Sequence, residues 1–238
     1  MEQLTAASVQ AELAAVASRA DAEFLAGYFK TGPGGYGEGD IFIGVRVPKS
    51  RAIAKHFKGL PLEELDVLLD SPIHEHRLTA LHIIVGQFQT AKTDRQREEL
   101  FDFYLDAALR GRINNWDLVD TSAPHMGAWL VKRPRKTLII GLARSEKLWE
   151  RRLAMMLTFA NIRAMDFGVP QHIAMILLHD KHDLIHKAVG WMLREIGNRD
   201  VDVLRQFLAK HSKQMPRTML RYAIERLDPA ERATWMAR

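Results

Sequence analysis

The chain has 238 residues, of which 47% are hydrophobic and 26% charged, so it can bury a core and is not a disordered chain. It has no cysteine, which excludes a disulfide framework, thiolate metal ligands and a cysteine nucleophile. No uncharged apolar run approaches the roughly 18 residues of a membrane-spanning helix, and the first residues lack the pattern of a secretory signal. The length fits one domain over residues 1–238, the absence of cysteine fits a reducing cytoplasm, and the lack of a long apolar run leads us to expect no membrane partner. The net charge is +5.

Apolar residues recur at three- and four-residue spacing along nearly the whole chain, which is the spacing of amphipathic helices. Strand-like alternation is scarce, and glycine and proline fall between the periodic segments, as in short loops. The predicted fold class is therefore all-α. In chain order, the predicted helical segments are residues 9–26, 62–69, 77–88, 98–109, 127–130, 153–162, 173–178, 187–196, 201–208 and 218–227.

The first interruption of the helical pattern is a glycine-rich stretch, residues 32–40. It lacks the Gly-Lys-Ser/Thr ending of a phosphate loop and has acids where a phosphate would lie, which excludes a nucleoside triphosphate site. We expect a mobile connector that leads to the apolar segment 41–47 and ends at Pro48. Tyr28, just before this stretch, is either a core aromatic residue or one that faces a groove.

Four helices begin alike, with a basic residue followed by an apolar run. These basic residues are Arg77, Arg152, Lys187 and Arg217, and segment 114–120 lies in the longest gap between them. The period of roughly 30–40 residues is typical of helix-pair solenoids. In a solenoid, basic residues of the first turn and the helix N-termini would share one concave face and attract phosphates. The alternative is an irregular helical bundle.

Basic residues are concentrated late in the chain. Residues 132–163 contain nine Lys and Arg against two Asp and Glu, and residues 187–238 contain eleven against six. Such blocks hold a polyanion through the release of counterions. The alternative is a solvated helical surface.

The segment Asn-Asn-Trp-Asp-Leu-Val-Asp at 114–120 places Trp116 and Asp120 four residues apart, on one face of a helix. An aromatic face beside a carboxylate suits a cationic ligand and stabilises a positive charge that develops nearby. Pro124 has no N–H to donate to the carbonyl of Asp120, so we expect a kink there. Trp191 has a similar polar setting. The alternatives are core packing for both tryptophans and a helix cap or salt bridge for Asp120.

The histidines do not predict a metal site. His182 and His186 lie four residues apart, and His74 and His76 flank Glu75, but there is no His-Glu-x-x-His pattern and no third ligand. We expect surface histidines and no bound metal. No lysine stands out as a Schiff-base nucleophile, which favours hydrolysis without cleavage of a nucleic-acid strand.

Three stretches together resemble the bacterial DNA alkylation repair glycosylases built from HEAT-like repeats. They are residues 28–48, with the run Gly-Tyr-Gly-Glu-Gly-Asp-Ile-Phe-Ile-Gly-Val-Arg-Val-Pro, then 116–120 and 187–195. They agree with the family in order and spacing. The resemblance implies a HEAT-like solenoid and a monofunctional glycosylase, a hydrolase of base excision repair. Its partner would be duplex DNA with cationic purines such as 3-methyladenine and 7-methylguanine.

The resemblance also assigns residues. Asp120 matches the catalytic aspartate of the family, Trp116 and Trp191 match its cleft tryptophans, and Tyr28 matches its N-terminal cleft tyrosine. One position departs, since some members have tryptophan where Asn115 stands. This departure leaves the catalytic group in place.

The expected DNA contacts come from three basic residues of the second half. Arg152 and Arg194 match the groove arginines of the family, and Lys187 opens its second inner motif. The family implies a nucleoid-associated monomer without a cofactor. It also implies an open groove, so we expect little base reading and selection by the charge of the lesion. The alternatives are a non-catalytic protein that binds unusual DNA structures and a helical scaffold for other proteins.

Overall fold

The structure, a computed structural model, describes residues 4–237, and this part of the chain is all-α. Its sixteen helices are α1 (Ala6–Ala15), α2 (Arg19–Tyr28), α3 (Val47–His56), α4 (Leu62–Leu69), α5 (His74–Thr90), α6 (Asp94–Leu109), α7 (Trp116–Met126), α8 (Ala128–Lys132), α9 (Lys136–Ala143), α10 (Leu148–Leu157), α11 (Phe159–Arg163), α12 (Gly168–Ile176), α13 (Asp183–Gly197), α14 (Val201–His211), α15 (Arg217–Ala223) and α16 (Pro229–Met236). Within residues 4–237, β-structure is limited to one bridge between Ile41 and Ile73, and no helix is long and apolar enough to cross a membrane. The predicted fold class is confirmed.

The helices form two compact units, and the boundary between Ser122 and Ala123 falls inside α7. In the first unit, α5 is the central helix and contacts α1, α3, α4 and α6. In the second unit, α13 has the same role and contacts α10, α11, α12, α14 and α15. Each unit therefore has a core around one long helix. That residues 1–238 act as a single domain stays a prediction.

Helix boundaries differ from the sequence prediction near the N-terminus. The predicted segment 9–26 is divided into two helices, because Ser18 has an extended backbone and its side chain caps α2 by accepting from the N–H of Asp21. Pro48 lies in the first turn of α3 instead of ending a segment. A proline costs little there, since the N–H groups of the first turn have no partner within the helix.

The first turn of α5 is polar but buried. His74, Glu75, His76 and Arg77 are between 1% and 6% exposed, so the prediction of surface histidines is wrong for His74 and His76. The sequence pattern misses this because local periodicity does not show partners that are distant along the chain. Here the polar side chains hold the segment that precedes α3.

The carboxylate of Glu75 fastens this preceding segment to α5. It accepts hydrogen bonds from the backbone N–H groups of Ile43, Gly44 and Val45, with a distance of 2.8 Å to the nitrogen of Gly44. Gly44 has a φ of +82°, and a Cβ there would lie 2.0 Å from the carbonyl oxygen of Ser18. Only glycine fits this close approach.

The glycine-rich loop before this segment is also packed. A Cβ on Gly37 would lie 2.4 Å from the carbonyl oxygen of Phe29. The Tyr36 hydroxyl donates to the carbonyl oxygen of Tyr28 at 3.3 Å, and it accepts from the indole N–H of Trp116 at 3.3 Å. These contacts argue against the predicted mobile connector and make the loop part of a fixed wall.

Candidate functional site

A cavity of about 580 Å³ lies in the first unit, among α2, segment 42–47, α3, α5 and α7. Its aromatic lining is Phe24, Tyr28, Phe29, Phe42 and Trp116, and its ionisable lining is Arg46, Arg51, His74, Glu75, Asp117 and Asp120. The volume of this cavity is ample for a small aromatic ligand. The open groove that the resemblance implies stays a prediction.

The aromatic rings of the cavity contact one another in both edge and face arrangements. The ring of Tyr28 meets that of Trp116 edge-on, with centroids 6.1 Å apart and an interplanar angle of 69°. Phe29 stacks on Trp116 with centroids 5.2 Å apart. Faces of this kind attract flat and cationic groups.

The outer part of the aromatic lining is exposed. Phe24 and Tyr28 lie one turn apart on α2, stack with centroids 6.1 Å apart, and are 55% and 56% exposed. The guanidinium of Arg46 lies 4.9 Å from the ring centroid of Phe24 and pairs with Asp21 at 2.6 Å. Tyr28 is therefore a cavity residue, not a core one.

Trp116 and Asp120 line the same cavity from α7. They lie four residues apart, so their side chains share one face of the helix. The indole N–H of Trp116 is directed to Tyr36, which fixes the ring. The structure thus brings together three of the residues that the sequence singles out, Tyr28, Trp116 and Asp120.

Behind the aromatic lining lies a buried histidine that the sequence analysis does not single out for the site. Nδ1 of His74 lies 2.9 Å from a carboxylate oxygen of Asp40, and its Nε2 lies 2.8 Å from one of Asp117. Burial lowers the pKa of His74, but the two carboxylates outweigh it and raise the pKa to about 9. Both ring nitrogens therefore donate, and Phe42 stacks on the imidazolium with centroids 4.4 Å apart.

Asp40 is the centre of this buried network. Its carboxylate accepts from His74, from the guanidinium of Arg77 and from the amide of Asn115, the last at 3.2 Å. Burial raises the pKa of Asp40, yet the hydrogen bonds and the positive charges of His74 and Arg77 hold that pKa below its usual value. The side-chain oxygen of Asn115 also accepts from the backbone N–H of Trp116 at 2.8 Å. Asn115 therefore ties Asp40 to the start of α7.

The sequence contains one signal of this buried polar network. The run His-Glu-His-Arg at 74–77 places four polar residues at the start of a helix that is otherwise apolar and buried. Polar residues in such a helix need partners, because an unpaired buried polar group is costly. The pattern alone cannot say that Asp40 and Asp117 are those partners.

The remaining predicted site residues lie in the second unit. Trp191, on α13, is partly buried, and its indole N–H donates to the carboxylate of Glu195 at 3.2 Å. Lys187, on the same helix, pairs with Asp183 at 2.7 Å and is partly exposed.

The two predicted groove arginines already have protein partners. Arg194 pairs with Glu225, and its side chain is 19% exposed. Arg152, on α10, is only 4% exposed and donates to the carbonyl oxygen of Leu184. A phosphate would have to replace or join these partners.

The part of the chain that the structure describes has no group of three or more His, Asp or Glu residues arranged to hold a metal ion. Both nitrogens of His74 face carboxylates, so this ring has no lone pair for a metal. The groups available for chemistry in the cavity are carboxylates, aromatic rings and the cationic side chains of Arg46, Arg51 and His74.

The fold and the cavity together define an all-α protein with an aromatic site that suits a flat ligand and that contains the carboxylate of Asp120. Residues 9–227 match the model of the DNA alkylation repair enzyme family, and the chain belongs to that family. The family expected from the resemblance is thereby confirmed. No curated protein sequence matches the chain.

A solved structure has a similar fold. It is described as a predicted DNA alkylation repair enzyme from Enterococcus faecalis, and it matches with a TM-score of 0.72 over 90% of this chain and 97% of that chain. The two chains are 18% identical. At this identity, the comparison supports the fold, and it is consistent with a helical-repeat architecture.

Proposed function

We propose that this protein is a monofunctional DNA glycosylase, which hydrolyses the N-glycosidic bond of cationic purines such as 3-methyladenine and 7-methylguanine in duplex DNA. One observation carries the proposal. The carboxylate of Asp120 and the indole of Trp116 line one aromatic cavity, in a chain of the DNA alkylation repair enzyme family.

The chemistry of the lesion explains why a carboxylate suffices. A purine alkylated at N3 or N7 is already positively charged, so it departs as a neutral base and needs no general acid. The positive charge then develops on the deoxyribose. At roughly 4 Å and an effective dielectric near 20, the charge of Asp120 would stabilise it by about 4 kcal/mol, or close to three decades of rate. Asp120 would also orient the attacking water.

The aromatic residues would select the charge of the lesion. Trp116 and Tyr28 would contact the cationic base or its deoxyribose, each contributing on the order of 0.5–2 kcal/mol. Trp191, in the second unit, is proposed as a further aromatic contact. No lysine is among the residues that line the cavity in the described part of the chain, which agrees with hydrolysis and not with a Schiff-base mechanism.

DNA binding would depend on the basic second unit. Lys187 and Arg194 are proposed to contact phosphates by exchanging their present partners, Asp183 and Glu225, for phosphate oxygens. Such exchanges release counterions and make binding dependent on salt. Arg152 is buried and donates to the carbonyl oxygen of Leu184. We propose that it supports the DNA contact indirectly, by fixing the backbone at Leu184.

The experiment compares the wild type with Asp120→Asn on methylated duplex DNA and measures free 3-methyladenine and 7-methylguanine by chromatography. We expect release by the wild type and a loss of about three decades of rate in the variant, since the amide keeps the shape but not the charge. Glu63→Gln is the matched control, because it neutralises an exposed carboxylate on α4 outside the cavity.

Each of the other outcomes would support a different function or a different mechanism. DNA binding by the wild type without any base release would indicate a non-catalytic binder of unusual DNA structures. Failure to bind DNA at low salt would indicate a protein scaffold. Equal rates for the wild type and Asp120→Asn would remove Asp120 from the mechanism.

A further inference from the structure

The cluster of His74, Asp40 and Asp117 plays no part in the chemistry proposed above, yet it is a buried ionic group with hydrogen bonds on both ring nitrogens of His74. The side chains of His74, Asp40 and Asp117 are 1%, 3% and 14% exposed. They come from α5, from the end of the glycine-rich loop and from the first turn of α7. One imidazole thus joins three segments that are far apart in sequence.

The cluster is connected to Trp116 from both sides. Asn115, just before it, donates to Asp40 and accepts from the backbone N–H of Trp116. Asp117, just after it, faces His74 with one oxygen and accepts from the N–H of Leu118 with the other, at 2.8 Å. The position of the first turn of α7 is therefore fixed by side chains that end on His74 and Asp40.

Asp120 follows Asp117 by three residues, so the two carboxylates lie on neighbouring parts of one helix face. A rotation of α7 about its axis would move Trp116 and Asp120 together. The bond between His74 and Asp117 opposes such a rotation. A catalytic group has to be held close to its productive position, and side chains behind it commonly supply this constraint.

We propose that His74 is a positioning residue for the glycosylase reaction: by holding Asp117 and Asp40 at once, it fixes the first turn of α7 and so the placement of Trp116 and Asp120. The inference rests on the proposed function and deepens it. His74 itself does not touch the lesion in this mechanism. A neutral side chain with a single donor cannot serve both carboxylates, so the charged imidazole is required.

The first test is kinetic. His74→Gln keeps a side chain of similar size, but it is neutral and both of its N–H donors are on one nitrogen, so it cannot replace the two opposite ring nitrogens that face Asp40 and Asp117. We expect at least a tenfold lower kcat for 7-methylguanine release with KM changed less than threefold. His76→Gln is the matched control, because His76 lies two residues away on α5, is also buried and bonds to Ser71 instead. The control should stay within twofold of the wild type.

The second test observes Trp116 directly. Of the five indole N–H resonances in protein labelled with ¹⁵N-tryptophan, Trp116→Phe identifies the one to follow. We expect this resonance to shift or broaden in His74→Gln and to keep its position in His76→Gln. Asp117→Asn weakens the same contact from the other side, because it removes the charge that pairs with the imidazolium and leaves one acceptor oxygen for the two donors, His74 and Leu118. If His74→Gln does not fold, Asp117→Asn provides the test instead. Its Trp116 resonance and its kcat should change in the way expected for His74→Gln.

The two tests separate the inference from the proposed function. If the wild type releases no base, the proposed function fails, and the indole resonance still reports whether His74 positions α7. If the wild type releases base while His74→Gln and Asp117→Asn keep both kcat and the Trp116 resonance, the positioning role is overturned. A change in His76→Gln equal to that in His74→Gln overturns it as well, since any buried histidine would then have the same effect.

Discussion

His74 shows at the scale of one residue how the fold determines a charge state. Its two partners, Asp40 and Asp117, lie 34 and 43 positions away in the chain. In the unfolded chain the imidazole is an ordinary histidine, whereas in the fold it is an imidazolium between two carboxylates. Folding and proton binding at this residue are therefore linked.

The linkage predicts how the free energy of unfolding depends on pH. Below about pH 6.5, His74 is protonated in both states, and its stabilising contribution is fully present. As the pH rises through about 9, the unfolded chain has already lost the proton that the fold retains, so the free energy of unfolding should fall, on the order of 3 kcal/mol in all. Urea unfolding between pH 6 and 9 measures this fall.

The control for this prediction is again His76→Gln. Burial and Arg77 lower the pKa of His76, so its own linkage acts below pH 6.5 and leaves the fall above that pH in place. In His74→Gln, most of the fall in the free energy of unfolding above pH 6.5 should be absent. An equal fall in wild type and His74→Gln would show that another group is responsible.

The sequence predicts some residues of the site and misses others. The spacing of four between Trp116 and Asp120 predicts a shared helix face, and the structure places both on one cavity. The role of Asp120 in catalysis stays a prediction. His74 is wrongly expected at the surface, because its partners come from segments that only the tertiary fold brings together.

At the scale of elements, apolar periodicity predicts several helices closely. Segment 62–69 coincides with α4, and residues 187–196 lie within α13. The pattern does not predict α3, α9 and α16. Helix α7 continues through Pro124 to Met126, and the kink that the sequence predicts there stays a prediction.

Gly44 lies in the segment between the glycine-rich loop and α3, where its backbone approaches that of Ser18. Gly44→Ala would place a Cβ 2.0 Å from the carbonyl of Ser18 at a φ of +82°, so we expect a loss of at least about 2 kcal/mol in the free energy of unfolding. Gly86→Ala, in α5, is the control: a Cβ there meets nothing within 4 Å, and the change should be neutral or stabilise by up to about 1 kcal/mol.

Urea unfolding of the two variants measures the difference. Because residues 43–45 are held by Glu75 next to the cavity, Gly44→Ala should also lower base release, whereas Gly86→Ala should not. A Gly44→Ala variant as stable as the wild type would show that the backbone of this segment can shift away from Ser18 at little cost, which would contradict the expected loss of stability.

At the scale of the whole molecule, the two units differ in charge. Residues 1–122 contain 13 Lys and Arg against 18 Asp and Glu, and residues 123–238 contain 21 against 11. An acidic unit with an aromatic cavity suits a cationic base, and a basic unit suits the phosphates of DNA. Composition alone shows that the basic residues are concentrated late in the chain, whereas the division into two units and the cavity among α2, α5 and α7 depend on packing.

This division predicts which lesions are released. A cationic base such as 7-methylguanine is attracted to the aromatic faces of the cavity and to the carboxylate of Asp120, and it departs as a neutral molecule without receiving a proton. The neutral lesion 1,N6-ethenoadenine has neither advantage, and no cavity residue is proposed as a general acid for it. We expect its release to be at least a thousandfold slower at neutral pH.

The measurement uses two duplexes of identical sequence that differ only in the lesion, with free base followed over time. The binding of both duplexes at the same salt concentration is the control, because phosphate contacts do not depend on the lesion and the duplex with the neutral lesion should still be bound. Release of 1,N6-ethenoadenine at a rate close to that of 7-methylguanine would contradict selection by charge. Catalysis would then require a proton donor to the leaving base, and Asp120 as a fixed anion could not provide it.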